Sequence, residues 1–326
     1  MKPMTVLFSV ALVATLALAA CSPQVTPEAA QPGAPAAPAA TEAQVGAPPA
    51  AAPEASPTVG PSGIQHATAP GGLPEGKGKF LGDQSTVSSL NKGRALVGDR
   101  FTLGKFERPY NANTMDVYLP YLDIVSANLY QDATWVYARI TLVGRDSNNA
   151  LPGKYAIEVD KGMDGHGDLL VLVAHPSSTD WSTDGVQVLK DSNHDVGGEN
   201  IVNADSQGNG NGYETVVFDS GTGNDPDAAW ARLSGSDPNS LEMAFKVSLL
   251  EGDSKYLAGI WAGNDALNPA LFDLNDHYTH EQAGEANPEM ANFYPIKGLS
   301  ELDNTCRQAM GFVPTGQEPA LCSQGQ

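Results

Sequence analysis

The chain is short of cysteine, of positive charge and of long apolar runs, and each shortage removes a class of protein. Three cysteines in 326 residues are too few for a multi-cysteine zinc framework. Eighteen Lys and Arg stand against 38 Asp and Glu, a net charge of −20, so nucleic acid is not an expected partner and anionic lipid is not sought by charge. No apolar stretch reaches the roughly 20 residues that a bilayer core demands. Long helical periodicity is missing, as are a G-x-S-x-G elbow, a phosphate-binding loop and a dinucleotide fingerprint. No enzyme activity is therefore expected.

What is present at the N-terminus concerns export. Lys2 precedes an apolar run from Val6 to Leu16, and small residues follow it. A charged start, a short apolar stretch and a small-residue cleavage site make a secretory signal, assigned to residues 1–20. The tetrapeptide Leu18-Ala19-Ala20-Cys21 resembles a bacterial lipobox. That resemblance implies that Cys21 becomes the lipid-modified N-terminus, tying the chain to a membrane of the cell envelope and facing it to the periplasm or exterior.

Residues 21–79 read as a tether. Ser22 to Gly78 holds twelve prolines, much alanine and almost no large apolar residue, so burial cannot offset the entropy of ordering it. Extended in polyproline geometry it reaches at most roughly 170 Å. With Cys21 given to lipid, Cys306 and Cys322 remain, and an oxidising compartment favours their joining. Such a bridge, closing a loop of about sixteen residues, is worth roughly 3 kcal/mol by chain entropy. It staples the Gly- and Pro-rich segment 301–326.

Residues 80–300 read as strands. Short alternating or apolar runs, separated by Gly, Asn, Asp and Pro, occur at 123–130, 134–143, 154–160, 168–175, 185–189, 213–219, 228–233, 240–250 and 255–262. From Leu241 to Leu249 every odd position is large and apolar. Leu169 to Val173 is apolar on both faces, as in a central strand. Helical turns fit only 80–91 and 266–274. The expected fold is all-β, an antiparallel β-sandwich of jelly-roll or immunoglobulin-like kind with acidic loops and short helical turns.

Those loops hold the charge. From Glu158 to Trp230, 14 acidic and two basic residues leave a net of −12. Crowded like charges call for a cation, and calcium, a hard ion taking six to eight oxygens, suits them. Asp191, Asn193 and Asp195 offer oxygens at alternate positions before Gly197 and Gly198. The stretch resembles the start of an EF-hand loop, with Val196 in place of the turn glycine and Val202 in place of the closing Glu. Remaining ligands then come from Asp184, Glu199 or Asp205. Asp160, Asp164 and Asp168 form a second loop similar to the D-G-x-G-D calcium turns of exported β-proteins, and Asp219 to Asp227 a looser third. Without metal, each stretch still makes ordinary Asx-turns.

Other candidates are weaker. His277 and His280 lie near Asp276, three residues apart, where a loop role outweighs zinc. A glycosidase-like carboxylate pair such as Asp184 with Glu214 can be drawn from so many acids at little cost. In the 135–142 strand Val136, Ala138, Ile140 and Leu142 alternate with Trp135, Tyr137, Arg139 and Thr141. If the first set faces the core, Trp135, Tyr137 and Arg139 form an outer row suited to stacking on sugar rings; the alternative is that a loop covers them and they extend the core.

The strand from Asp123 to Ala127, its partner Trp135-Val136-Tyr137 and the run Tyr155 to Asp160 resemble family-9-type carbohydrate-binding modules and the related DOMON-like sandwiches, over residues 115–262. The resemblance implies a calcium-supported sandwich that binds sugar or, in some members, haem; Met and His are not paired here as axial haem ligands. The sequence thus leads to a surface-anchored lipoprotein whose calcium-stabilised sandwich binds an extracellular ligand, with polysaccharide foremost. The alternatives are an adhesive envelope protein that binds another protein and an extracellular hydrolase.

Overall fold

All nine expected strands form in the computed structural model, which describes Ile64 and residues 66–92, 98–111, 116–197, 210–272, 277–284 and 299–323. In chain order the strands are β1 (Lys79–Gly82), β2 (Glu107–Arg108), β3 (Ile124–Gln131), β4 (Trp135–Leu142), β5 (Lys154–Asp160), β6 (Leu169–Ala174) and β7 (Val186–Lys190). Then come β8 (Thr215–Asp219), β9 (Thr222–Gly223), β10 (Ala229–Leu233), β11 (Ser240–Lys246), β12 (Tyr256–Gly263), β13 (Leu302–Asn304) and β14 (Gln308–Met310). Cys21, Glu199 and Asp205 lie outside the described residues.

Two antiparallel sheets pack face to face. One runs β1-β3-β4-β11-β10; the other runs β2-β13-β12-β5-β6-β7-β8-β9, with β14 added beside β12. Alternation decides what lies between them. Val136, Ala138 and Ile140 of β4 and Leu241, Met243 and Phe245 of β11 face Tyr155, Ile157, Val159, Val171 and Val173 of the larger sheet, all buried in one core. The opposite faces are covered as well. Leu170 and Leu172 of β6 join Phe106, Trp261, Phe272 and Leu302 in a second apolar layer, which accounts for the two-sided apolar character of that strand.

Three features differ from the expected layout. Strand β11 ends at Lys246, and Val247–Leu250 continue as a 3-10 turn closed by Glu251 in a left-handed conformation. Part of the C-terminal segment belongs to the sheet: β13 pairs with β12 at Trp261–Gly263 and β14 with β12 at Tyr256–Ala258. Cys306 and Cys322 are disulfide-bonded, with Cα atoms 4.9 Å apart. The bridge holds 320–322 beside Arg307, whose backbone N–H donates to Ala320 O at 2.9 Å.

The third concerns the end of the tether. Residues 66–73 lie on the outer face of the smaller sheet, fixed by Asp227. Its carboxylate accepts from Ala67 N at 2.8 Å and Thr68 N at 2.7 Å and meets His66 Nδ1 at 2.7 Å. Trp181 Nε1 donates to Gly71 O at 2.6 Å, and Pro70 is buried.

Candidate functional site

The expected aromatic row is real in register but not in exposure. Trp135 and Tyr137 do point away from the core that holds Val136 and Ala138. They are nevertheless only 5% and 2% exposed, packed with Trp230, Ala244, Leu73 and Trp181. The reason is the cover: residues 66–73, which composition alone assigns to the tether, lie across that face. Burial also pushes the Tyr137 hydroxyl up to about 12, with the neighbouring Asp132 adding to it. Arg139 stays partly exposed and donates to Ser236 Oγ at 2.9 Å.

At the edge of this face the surface opens. A hollow of about 150 Å3 is lined by His175, Ser178, Ser182, Asp184 and Arg232. The Arg232 guanidinium lies 4.4 Å from the centre of the Trp181 ring and is held by Glu242 at 2.6 Å. A planar donor, backed by an aromatic ring, thus meets several hydroxyls in the hollow.

The two aspartate loops close on themselves. Asp191 accepts from His194 N at 2.7 Å, Asp195 N at 3.3 Å and Val196 N at 2.9 Å, which makes an Asx-turn. Asn193 bonds Asp195 and Asn211. Asp168 accepts from Lys161 N at 2.6 Å, Asp164 from His166 N at 3.0 Å, and Asp160 from Gly165 N at 2.9 Å. Asp160 also takes Arg307 Nη1 at 3.0 Å, while Arg307 Nη2 reaches Glu158 at 3.2 Å. Among the described residues neither loop gathers three acidic or histidine side chains close enough to share an ion. Of the third stretch, Asp225 pairs with Lys246 and Asp227 holds the tether. Glu214 accepts from Ser192 N at 3.0 Å in the 191–197 loop, whereas Asp184 lines the hollow.

The close acidic group lies elsewhere, and no sequence spacing announces it. Asp83 follows β1, Glu107 is in β2, Asp123 precedes β3 and Asp303 is in β13. Carboxylate oxygens of Asp83, Glu107 and Asp303 lie within 4.8 Å of one another. Glu107, Asp123 and Asp303 are 2%, 0% and 0% exposed. Each acid spends one oxygen on a protein donor. Asp83 Oδ1 accepts from Gln84 N at 2.8 Å, and Asp303 Oδ2 from Ile124 N at 2.6 Å. Asp123 Oδ2 accepts from Tyr118 Oη at 2.6 Å, Thr86 N at 3.1 Å and Ser85 Oγ at 3.2 Å, and Glu107 Oε1 from Thr86 Oγ1. The second oxygens of Asp83, Asp123 and Asp303 are buried and meet no donor among the described residues.

Electrostatics make this arrangement costly for the bare protein. Two ionised carboxylates about 5 Å apart repel by roughly 3 kcal/mol at an effective dielectric of about 20. Among the described residues no Lys, Arg or His forms an ion pair with any of the four; Lys105 only eases Asp83 from farther away. Desolvation first, then mutual repulsion, pushes Asp83 up to about 8 and Glu107 up to about 9. Desolvation raises Asp123 to about 6 and drives Asp303 well above the ordinary carboxylate range. A cleft of about 250 Å3, lined by Asp83, Gln84, Glu107, Asn304 and Thr305, leads to the group.

No protein-family model matches this chain, and comparison with curated proteins and with solved structures returned no match either.

Proposed function

We propose that the chain is an exported lipoprotein, tied to the cell envelope through Cys21, whose β-sandwich binds an extracellular saccharide at the hollow beside Trp181. The observation that supports this reading is the open, polar depression lined by Arg232, Ser178, Ser182 and Asp184, in which the Arg232 guanidinium is seated on the Trp181 ring. Sugars present many hydroxyls to bond, and a planar guanidinium held on an aromatic ring, serine hydroxyls and a carboxylate answer that need. The proposed ligand face thereby moves from the covered Trp135 and Tyr137 to the hollow lined by the end of β6, the 175–185 loop and β10.

A glycan array with the mature protein tests it. Binding is expected, weakened at least tenfold by Trp181→Ala or Ser178→Ala, whereas Arg139→Ala leaves it unchanged. Retention in both of the first variants, or binding to no glycan, contradicts it. Mass spectrometry of the N-terminal peptide tests the anchor: acylated Cys21 is expected, and an unmodified Cys21 on the mature chain contradicts it.

A second reading rests on the adjoining acidic loops. His166 Nδ1 meets Val196 O at 2.6 Å and Asp191 N donates to Asp168 O at 3.2 Å, so 160–168 and 191–197 form one acidic end. Such an end suits a basic protein partner. Salt-sensitive protein capture without glycan binding favours this reading over the first.

A further inference from the structure

We propose that Asp83, Glu107, Asp123 and Asp303 form a calcium site that clamps the two sheets of the sandwich together. This goes beyond the saccharide reading and does not depend on it. Acidic residues alone do not make a site, because carboxylates are often content in water or in turns. Here the decisive feature is the division of labour within each buried side chain. Asp123 and Asp303 are both fully buried, and in each one oxygen is fixed by protein N–H or O–H groups while the other faces no donor. Asp83 repeats the pattern at the cleft wall. A metal ligand shows this division: an outer hydrogen bond orients the carboxylate and its inner oxygen goes to the ion.

The donor set selects the metal. Among the described residues all the atoms on offer are oxygens: the clustered carboxylates of Asp83, Glu107 and Asp303, the neighbouring Asp123 carboxylate and Thr86 Oγ1. That excludes the softer donors zinc prefers. Oxygens up to 4.8 Å apart fit opposite or adjacent places around an ion bound at about 2.3–2.6 Å. They come from four chain segments with irregular geometry, which calcium tolerates and magnesium, with its strict octahedron at about 2.0–2.1 Å, does not. The cleft beside Asp83 supplies a route for the ion and for water ligands.

Topology gives the consequence. Asp83 directly follows β1 and Asp123 directly precedes β3, neighbouring strands of the smaller sheet, whereas Glu107 and Asp303 pair across β2 and β13 of the larger one. An ion held by all four bridges the sheets at the end where β1 and β14 approach and where Cys306 forms its disulfide.

The test is calcium counting on the mature protein after EGTA treatment, by equilibrium dialysis against calcium alone and against magnesium alone. Wild type and the variants Asp83→Asn and Asp303→Asn are compared, with Asp195→Asn as a control in the acidic loop. One calcium per chain is expected to vanish in Asp83→Asn and Asp303→Asn and to persist in Asp195→Asn. Affinity for magnesium is expected to be at least tenfold weaker. Asp83→Asn, at the cleft wall, serves where Asp303→Asn fails to fold. A wild type that binds no calcium overturns the proposal, as does an unchanged count in Asp83→Asn or a site that prefers magnesium.

Discussion

At the residue scale the protein treats two of its buried charge groups differently. Glu158 and Asp160 are neutralised from within by Arg307, and Glu158 also accepts from Tyr213 Oη and Trp261 Nε1, each at 2.9 Å. Removing the cation there leaves two buried carboxylates with hydrogen bonds but no neutralising charge. Arg307→Met is therefore expected to destabilise the fold by about 3–5 kcal/mol, read by urea denaturation; a loss below about 1 kcal/mol would show that the group is dispensable. The Asp83–Glu107–Asp123–Asp303 group contains no such cation. In calcium-free protein its raised carboxylates hold protons to higher pH than they do in the unfolded chain. The folded state then binds more protons, so stability is full below about pH 4 and falls as pH climbs toward the folded values of about 8 and 9. Melting temperatures of EGTA-treated protein at pH 5 and pH 8.5 check the sign: a lower value at pH 8.5 is expected, and calcium is expected to remove the difference.

At the element scale the sequence was most legible where strands are long. Lys154–Asp160 and Leu169–Ala174 could be read from alternation and two-sided apolarity because five or more residues repeat one pattern. Strands β1, β2, β13 and β14 span two to four residues, too few for any period to show, and they exist only through pairing with distant segments. The acidic cluster escaped notice for the same reason. A faint signal was present: Asp123 sits between Leu122 and Ile124, and Asp303 follows Leu302, acids set among residues that are fully buried. Alternation also told correctly which way Trp135 points, but not that 66–73 covers it. That cover yields a prediction: Asp227→Ala removes the acceptor for Ala67 and Thr68 and frees the segment. Tryptophan emission is expected to shift to the red and a hydrophobic dye to bind, at a cost of about 1–3 kcal/mol. An unchanged spectrum would mean that 66–73 is not held by this carboxylate.

For the whole molecule, the sandwich is closed at one end by chemistry rather than by more core. The Cys306–Cys322 bridge fastens the C-terminal segment beside β12 and β14. Cys322→Ala together with Cys306→Ala is expected to cost about 3 kcal/mol, seen as an earlier urea midpoint with the fold retained. The proposed ion joins the two sheets at that same end, so loss of either fastening should be felt in the other. No described helix is long and apolar enough to cross a membrane. In the proposed reading Cys21 ties the chain to the envelope, and residues 66–73 dock beside Trp181.

X-ray diffraction from crystals grown with calcium and collected for anomalous signal addresses the central claim most directly. An anomalous peak is expected among Asp83, Glu107, Asp123 and Asp303, with carboxylate oxygens at about 2.3–2.6 Å. Ordinary water there, or carboxylates paired with one another and no peak, would contradict it.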